Sequence, residues 1–160
     1  MHYAPSALVT LRERPDLSPT IRAWLGDRLC GLPDPAHCFI LLALGVPAGT
    51  ASLAASGLAS RPDLTPWLVN LFVPAAFRGL GHAARLVAAV ETAARALGAP
   101  TLWLVTRSAE SFYARLGWQP VGPAAFHGDP ATLMCRALGG DQNTKACQNA
   151  KAYRAESAAT

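Results

Sequence analysis

Residues 67–107 constrain the fold most strongly, because they indicate a strand, a glycine-rich turn, a long helix and a second strand in succession. Residues 67–73 (WLVNLFV) and 101–107 (TLWLVTR) are short apolar runs bounded by turn residues, as is typical of buried strands. Residues 80–98 place apolar side chains at helical spacing, and Gly98 and Pro100 end that helix. Its apolar stripe comprises Leu80, Ala83, Ala84, Leu86, Val87, Val90, Ala94 and Leu97. A strand–helix–strand unit of this kind predicts a right-handed parallel crossover.

The remainder of the chain up to residue 138 adds antiparallel partners and two shorter helices. We expect strands at 6–12, 37–44 and 50–56, a helix capped by Ser18 and a short helix over 108–117 capped by Ser108. Residues 118–122 and 131–138 are expected to form a strand pair around the loop 123–130. The element order β-α-β-β-β-α-β-α-β-β predicts an α+β fold. It has a mixed central sheet of about six to seven strands, flanked by about three helices.

Length and composition indicate one domain. The chain has 160 residues, of which 51% are hydrophobic, enough to bury a sizeable core. We predict a single domain over 1–138 and a polar, flexible C-terminal tail over 139–160. No apolar run approaches the roughly 20 residues of a membrane-spanning helix, and the N-terminus lacks the order of a signal peptide. A cytoplasmic protein with no membrane partner is therefore expected.

The cysteines and the net charge limit the classes of ligand. Cys30, Cys38, Cys135 and Cys147 are widely spread, so we expect buried free thiols and no metal site. The formal net charge of +4 is small and unclustered. It favours an anionic cofactor over a nucleic acid partner.

Two glycines, Gly79 and Gly81, stand directly before the long helix. Gly costs about 0.5–1 kcal/mol relative to Ala within a helix or strand, and a glycine-rich turn that simply admits the chain to the helix is one interpretation. The amides of a helix's first turn lack intrahelical partners and carry a partial positive charge, which suits a phosphate. A dinucleotide fingerprint, Gly79-x-Gly81-x-x-Ala84 with Arg107 reading an NADP phosphate, is a weaker alternative. Residues 74–78 separate these glycines from the strand, and too little chain follows for a doubly wound sheet.

Two linked motifs give the chain a family resemblance. The segment NLFVPAAFRGLGHAARLV (70–87) resembles the acyl-CoA-binding segment of the GNAT superfamily of N-acetyltransferases, whose signature R/Q-x-x-G-x-G/A follows a strand. The segment AESFYARLGWQPVG (109–122) is similar to the family's A-x-x-x-Y-x-x-L-G-F/W. The two motifs and their spacing agree over 66–122, and a weaker topological match extends over 1–138.

The resemblance implies acetyl-CoA as co-substrate and an amine as acceptor. The coenzyme's pyrophosphate would sit on the loop amides, its pantetheine arm would pair with the strand, and a backbone N–H between strands 67–73 and 101–107 would stabilise the oxyanion. The implied cofactor-binding residues are Leu71, Phe72, Val73, Arg78, Gly79, Leu80, Gly81, His82, Ala83, Ala84 and Thr106. Tyr113 would be the general acid that protonates the coenzyme A thiolate after direct attack by a primary amine.

Several positions depart from the family pattern or leave alternatives open. Thr106 stands where many members carry an asparagine, so its contact with the arm is expected to be weaker. No acid lies on strand 67–73, and Asn70 cannot take a proton, so no general base is assigned. Glu91 is interpreted as half of an exposed helix pair with Arg95, and Glu110 as a first-turn charge. The His82 ring is expected to face solvent or phosphate.

The acceptor and the assembly are left open. A small-molecule or peptide amine is expected. The resemblance implies an acceptor side formed by the first helix, the loop after it and the loop 57–66. Its only acids are Asp27, Asp34 and Asp63, too few to bind a polycation. Trp24 and Trp67 indicate either an aromatic acceptor or core packing. Dimers are common in the resembling family, so a homodimer is an open alternative. A non-catalytic acyl-CoA sensor of the same fold is the alternative function.

Overall fold

The computed structural model describes residues 6–26, 33–139, 147 and 150. Over these ranges the chain forms seven strands and three α-helices in the expected order, which confirms the α+β fold. The strands are β1 (Ser6–Thr10), β2 (Cys38–Ala43), β3 (Val46–Ala54), β4 (Trp67–Phe72), β5 (Thr101–Thr106), β6 (Gln119–Phe126) and β7 (Asp129–Ala137). The helices are α1 (Ser18–Leu25), α2 (His82–Ala96) and α3 (Glu110–Arg115). None of these helices has the length and hydropathy needed to cross a membrane.

The sheet is mixed, with the strand order β1-β2-β3-β4-β5-β7-β6. β1 pairs with β2 and β2 with β3 in antiparallel register. β4 pairs with β5 in parallel, with Trp67 opposite Trp103, as the crossover through α2 requires. β5 and β6 both pair antiparallel with β7.

Backbone contacts divide the chain into two compact units. The first comprises Met1–Ala54 and Leu68–Ala93, and the second comprises Ala55–Trp67 and Ala94–Thr160. The domain over 1–138 and the flexible tail over 139–160 stay predictions, because only Gly139, Cys147 and Ala150 of that tail are among the described residues.

The first unit has its core between α1 and the strands β1 and β2. The cluster consists of Leu11, Leu17, Ile21, Leu25, Cys38, Ile40 and Leu42, with Val9, Trp24 and Phe72 packed against it. Leu86, Val87 and Val90, near the middle of α2, are also buried. The expected stripe extends too far at both ends, because Leu80 and Leu97 lie just outside α2 and are 65% and 61% exposed.

In the second unit, β6 and β7 form a longer hairpin than the sequence indicates. Phe126 pairs with Asp129, so the expected loop over 123–130 is wrong and only His127 and Gly128 form the turn. Both adopt positive φ angles, 50° and 82°, as two-residue hairpin turns require. Pro123 is tolerated because β6 is the edge strand. Pro130 is tolerated because it precedes Thr132–Ala137, the part of β7 that pairs with β5.

Neither expected serine cap is present. α1 begins at Ser18 itself, because the 3₁₀ turn Pro15–Leu17 runs directly into the helix and gives Ser18 helical dihedral angles. α3 begins at Glu110, with no side-chain cap. Its entry is held instead by the Thr106 hydroxyl, whose oxygen accepts a hydrogen bond from the Ala109 amide at 3.0 Å.

A disulfide joins Cys135 of β7 to Cys147, with their Cα atoms 6.0 Å apart. The expectation of four free thiols is therefore wrong for these two residues. Widely spaced cysteines do not show which of them approach each other in the fold. Cys38 is a buried free thiol as expected, and Cys30 lies outside the described residues.

Candidate functional site

The loop Arg78–Gly81, between β4 and α2, forms an open backbone turn. Gly79 and Gly81 have φ angles of +80° and +82°, which L side chains rarely adopt. A Cβ atom at either position would have no neighbour within 4 Å. The glycines are therefore required by the left-handed backbone, and a ligand is free to approach the turn closely.

The N-terminus of α2 offers hydrogen-bond donors at this turn. The Arg85 amide donates to the Gly81 carbonyl at 3.2 Å, so Gly81 holds the N-cap position. The amides of His82, Ala83 and Ala84 belong to the first turn, so they have no intrahelical partner and carry the positive end of the macrodipole. Glycine at the N-cap has no side chain that could cap them. These donors and the open space beside the glycines fit a diphosphate group.

Arg78 is anchored at the rim of the turn. Its Nε donates to the Val73 carbonyl at 2.9 Å, which ties the side chain to the end of β4. The guanidinium has further N–H groups beyond Nε, and these can bind an anion. The expected residues 78–84 thus lie on the loop 78–81 and the first turn of α2, which follows it directly.

The nitrogens of the His82 ring do not face solvent, which was one of the two surroundings expected for this side chain; the other, a phosphate, stays a prediction. Both ring nitrogens are shielded from solvent and without a partner, and the ring centroid lies 6.4 Å from that of Phe77. His82 is the first residue of α2, and its ring turns towards the preceding 3₁₀ turn. Its contribution to an anion site is therefore its backbone amide.

The end of β4, which carries Leu71 and Phe72 and leads to Val73, is half-buried and closely backed by β3. A Cβ on Gly49 would lie 3.1 Å from the Phe72 carbonyl oxygen and 3.2 Å from the Val73 Cγ2 atom. Gly49 therefore permits the approach of β3 to the segment expected to pair with pantetheine. The sequence pattern does not indicate this role, because it places the strand at 50–56, after Gly49, whereas β3 begins at Val46.

Asn70 is the second residue that sequence analysis did not single out for a role in binding. It adopts φ +59° within β4, and its side-chain Nδ2 is buried without a hydrogen-bond partner. The signal available in the sequence is one polar residue inside the apolar run WLVNLFV.

Tyr113 lies on α3 and is 6% exposed. Its ring makes edge contacts with Phe112 and Trp118, at centroid distances of 5.0 Å and 5.9 Å. Burial raises the pKa of the Tyr113 phenol above its ordinary value, because the phenolate would lose hydration. The phenol therefore stays protonated at neutral pH, and it is a weaker acid than an exposed tyrosine.

The candidate carboxylates differ in their surroundings. Glu91 is 8% exposed, so the expected exposure is wrong, whereas its pairing with Arg95 stays a prediction. It shares the helix face of Val87 and Ala94, at four- and three-residue spacing. Glu110 lies in the first turn of α3, and its Oε2 accepts a hydrogen bond from Thr132 at 3.2 Å.

Trp67 and Trp24, the two tryptophans considered for acceptor binding, have different environments. Trp67 is fully buried and its Nε1 donates to the Leu64 carbonyl at 2.6 Å, so it is a core residue. Trp24 is half-buried, with its ring centroid 5.7 Å from that of Phe72.

Two of the three acids on that side are engaged within their own loops. Asp34 accepts from the Ala36 amide at 2.9 Å. Arg61 forms a two-point ion pair with Asp63, and its hydrogen bonds hold the pKa of that carboxyl below its usual value. Asp27 lies outside the described residues. Within the described ranges, no group of three His, Cys, Asp or Glu side chains is arranged to hold a metal ion.

Comparison with known families identifies the architecture. The model of the acetyltransferase (GNAT) family matches residues 6–118, a range that includes the glycine turn and Tyr113. The chain belongs to the GNAT acetyltransferase family. It is accordingly an enzyme of the acyltransferase class, and the expected family is confirmed. No protein of curated function matches the chain by sequence.

Solved structures with low sequence identity share the fold. Ard1 from Thermoplasma volcanium is 15% identical, with a TM-score of 0.66 over 84% of this chain and 99% of that one. An N-acetyltransferase from Staphylococcus aureus Mu50 is also 15% identical, with a TM-score of 0.66 over 85% and 100% of the two chains. N-acetylglutamate synthase from Neisseria gonorrhoeae, complexed with coenzyme A and N-acetyl-glutamate, is 18% identical, with a TM-score of 0.65. The match covers 87% of this chain but only 36% of the synthase.

Proposed function

We propose that this GNAT enzyme transfers an acetyl group from acetyl-CoA to the primary amine of a small molecule or peptide. The observation that carries the proposal is the open turn of Gly79 and Gly81 before the uncapped N-terminus of α2. It presents backbone donors and positive charge where a diphosphate would bind. Four of the similar structures were solved with coenzyme A or acetyl-CoA bound.

Acetyl-CoA supplies an activated thioester: the amine nitrogen bonds to its carbonyl carbon, the carbon–sulfur bond breaks, and the proton lost by the amine balances the one gained by sulfur. The amides of residues 79–84 and the Arg78 guanidinium hold the diphosphate. The backbone of Leu71, Phe72 and Val73 holds the pantetheine arm. Thr106 adds a weaker contact to the arm, because a hydroxyl stands where many members of the family carry an asparagine amide; its oxygen also accepts a hydrogen bond from the Ala109 amide.

We assign to Tyr113 the proton that the leaving sulfur takes up. Its raised pKa keeps the phenol protonated throughout the neutral range, so the donor is always loaded. The same rise makes complete transfer to a thiolate less favourable. We therefore propose that the Tyr113 phenol donates a hydrogen bond to the sulfur, and that its proton transfers fully only as the carbon–sulfur bond breaks. Because β4 carries no acid, the amine proton passes to water, and a backbone carbonyl orients the amine by accepting its hydrogen bond.

The surroundings of the acceptor side favour an amine without several positive charges. Asp63 is already paired with Arg61, so it is not a free counter-charge for a polycation. Asp34 accepts only a backbone amide and leaves a single carboxylate for one positive charge. Trp24 offers the edge of an aromatic surface beside Phe72. An amine attached to an apolar or aromatic body is the class that we propose.

A mixed panel of primary amines with acetyl-CoA tests the proposal by the appearance of free coenzyme A thiol. We expect thiol release with at least one amine, and Tyr113→Phe is expected to lower its kcat on the order of 10²-fold at an unchanged KM for acetyl-CoA. Thermal stabilisation by acetyl-CoA without thiol release from any amine would identify an acyl-CoA sensor instead. Stabilisation by NADP but not by coenzyme A would overturn the site assignment.

A further inference from the structure

Asn70 carries two features that cost free energy in the described structure. Its φ of +59° lies in the left-handed region although it stands inside a strand. Asparagine tolerates this region better than most residues but still pays a strain cost. Its Nδ2 donor is also buried with no partner, and a buried donor that loses water without gaining a hydrogen bond is destabilising. Buried polar groups in native proteins normally have partners, so a ligand is the natural acceptor for this amide.

The position of Asn70 along β4 indicates which ligand atom that is; this step rests on the proposed function. The diphosphate end of acetyl-CoA is assigned to residues 79–84, beyond the C-terminal end of β4. A pantetheine arm that starts there and follows Val73, Phe72 and Leu71 moves towards lower residue numbers. The next residue along the strand is Asn70, and the next group of the cofactor is the thioester. The hydrogen-bond acceptor of a thioester is its carbonyl oxygen.

We propose that the Asn70 side-chain amide donates a hydrogen bond from Nδ2 to the acetyl carbonyl oxygen of acetyl-CoA. When the amine attacks, its nitrogen bonds to the carbonyl carbon and the C=O electron pair moves onto this oxygen. The hydrogen bond becomes charge-assisted and strengthens at that moment. As the carbonyl re-forms, the carbon–sulfur bond breaks and the electron pair leaves with sulfur. No proton is gained or lost by Asn70.

The competing explanation gives Asn70 a backbone role alone, in which asparagine is present because it tolerates a positive φ. Glycine separates the two explanations, because it adopts the same φ without strain and keeps the backbone N–H. Asn70→Gly therefore removes the side-chain donor and preserves the bend of β4. Asn70→Asp keeps the side-chain shape and the tolerance of positive φ, but replaces the donor by a carboxylate.

The test compares calorimetric affinities for acetyl-CoA and for coenzyme A, which lacks the carbonyl. We expect Asn70→Gly to weaken acetyl-CoA binding about 2- to 10-fold, the value of one net hydrogen bond, and to leave the affinity for coenzyme A unchanged. Asn70→Asp is expected to weaken acetyl-CoA binding further, and it serves alone if the glycine variant does not fold. The infrared C=O stretch of bound acetyl-CoA is expected to lie at lower frequency in the wild type than in either variant.

Equal affinities of wild type and variants for acetyl-CoA, or equal losses for both ligands, would overturn the inference. So would an unchanged carbonyl band. The wild-type titrations separate this result from a failure of the proposed function. A wild type that binds neither ligand refutes the coenzyme A site itself, whereas a wild type that binds both and is matched by Asn70→Gly refutes only the role of the Asn70 side chain.

Discussion

At the scale of single residues, the side chains of this site are defined by what surrounds them more than by their type. Tyr113 is a tyrosine in a family motif, yet its burial against Phe112 and Trp118 changes its acid strength. The nitrogens of the His82 ring are shielded from solvent beside Phe77, and the backbone amide of His82 is a donor of the first turn of α2. Asn70 cannot act as a base, but it has a strained backbone and a side-chain donor, Nδ2, that lacks a hydrogen-bond partner.

The raised pKa of Tyr113 predicts that its phenol loses the proton at a higher pH than an ordinary tyrosine does. Difference absorbance between wild type and Tyr113→Phe is expected to show phenolate forming only above the ordinary value of 10.0. The pKa of this phenol is higher in the folded state than in the unfolded state. The contribution of the neutral phenol to the free energy of unfolding is therefore complete at pH values below the unfolded-state pKa. It is lost as pH rises through the folded value, by up to about 1.4 kcal/mol per pH unit. Wild type should therefore lose stability in this alkaline range relative to Tyr113→Phe; parallel stability curves and an ordinary titration would contradict the assignment.

At the scale of elements, the site depends on how β3, β4 and α2 approach each other within the first unit. Gly49 of β3 faces the Phe72 carbonyl, the Val73 side chain and the Leu86 Cδ1 atom, at 3.1, 3.2 and 2.9 Å from an added Cβ. The position and direction of the β4 end, and hence of the turn that follows it, therefore depend on a residue that belongs to neither binding motif.

Gly49→Ala is expected to destabilise the fold by about 1–3 kcal/mol through overpacking, a fall in Tm of several degrees for a chain of this size. Because the added methyl group presses on the Phe72 carbonyl, acetyl-CoA affinity should fall as well. Gly45→Ala is the control: φ there is +75° but the Cβ space is open, so it should lower Tm and keep the affinity. An unchanged Tm and affinity for Gly49→Ala would show that the approach is looser than described.

The elements that the sequence predicts well are those whose signals are local. The order of strands and helices follows from apolar runs and turn residues, and the turn 78–84 follows from a contiguous motif. The errors come from interactions that a linear pattern does not contain. Ser18 is helical because a 3₁₀ turn precedes it. β3 and the hairpin of β6 and β7 are longer than the sequence indicates. A glycine can lie within a strand where a neighbouring strand approaches closely, and a proline can lie in a strand where its position makes no ladder hydrogen bond. The site's least predictable parts, Asn70 and Gly49, are set by φ angles and contacts across strands.

At the scale of the whole molecule, the match to the family model shows the family, and the disulfide bears on the predicted compartment. Disulfides are uncommon in a reducing cytoplasm, whereas Cys135 and Cys147 are joined. The predicted cytoplasmic location and this bond favour different redox environments. The redox state of the two thiols in the native source is therefore a direct measurement of the compartment.

Reduction is expected to lower the stability of the molecule. The bond closes a loop with a sequence separation of 12, for which chain entropy gives about 3 kcal/mol. A reductant should therefore lower the Tm of wild type and of Cys38→Ala, but not that of Cys147→Ala. Equal Tm values for wild type with and without reductant, or alkylation of all cysteines without it, would contradict the disulfide.

The central claim is that the turn before α2 holds the diphosphate of acetyl-CoA. The most direct measurement is the calorimetric Kd of acetyl-CoA for wild type, Gly81→Glu and Gly45→Glu. Both substitutions add the same charged side chain at a left-handed glycine with open space around it, but only the first places it at the turn. The account predicts at least about 100-fold weaker binding for Gly81→Glu, since a carboxylate then opposes the phosphates at close range, and a wild-type Kd for Gly45→Glu. A wild-type Kd for Gly81→Glu would contradict it.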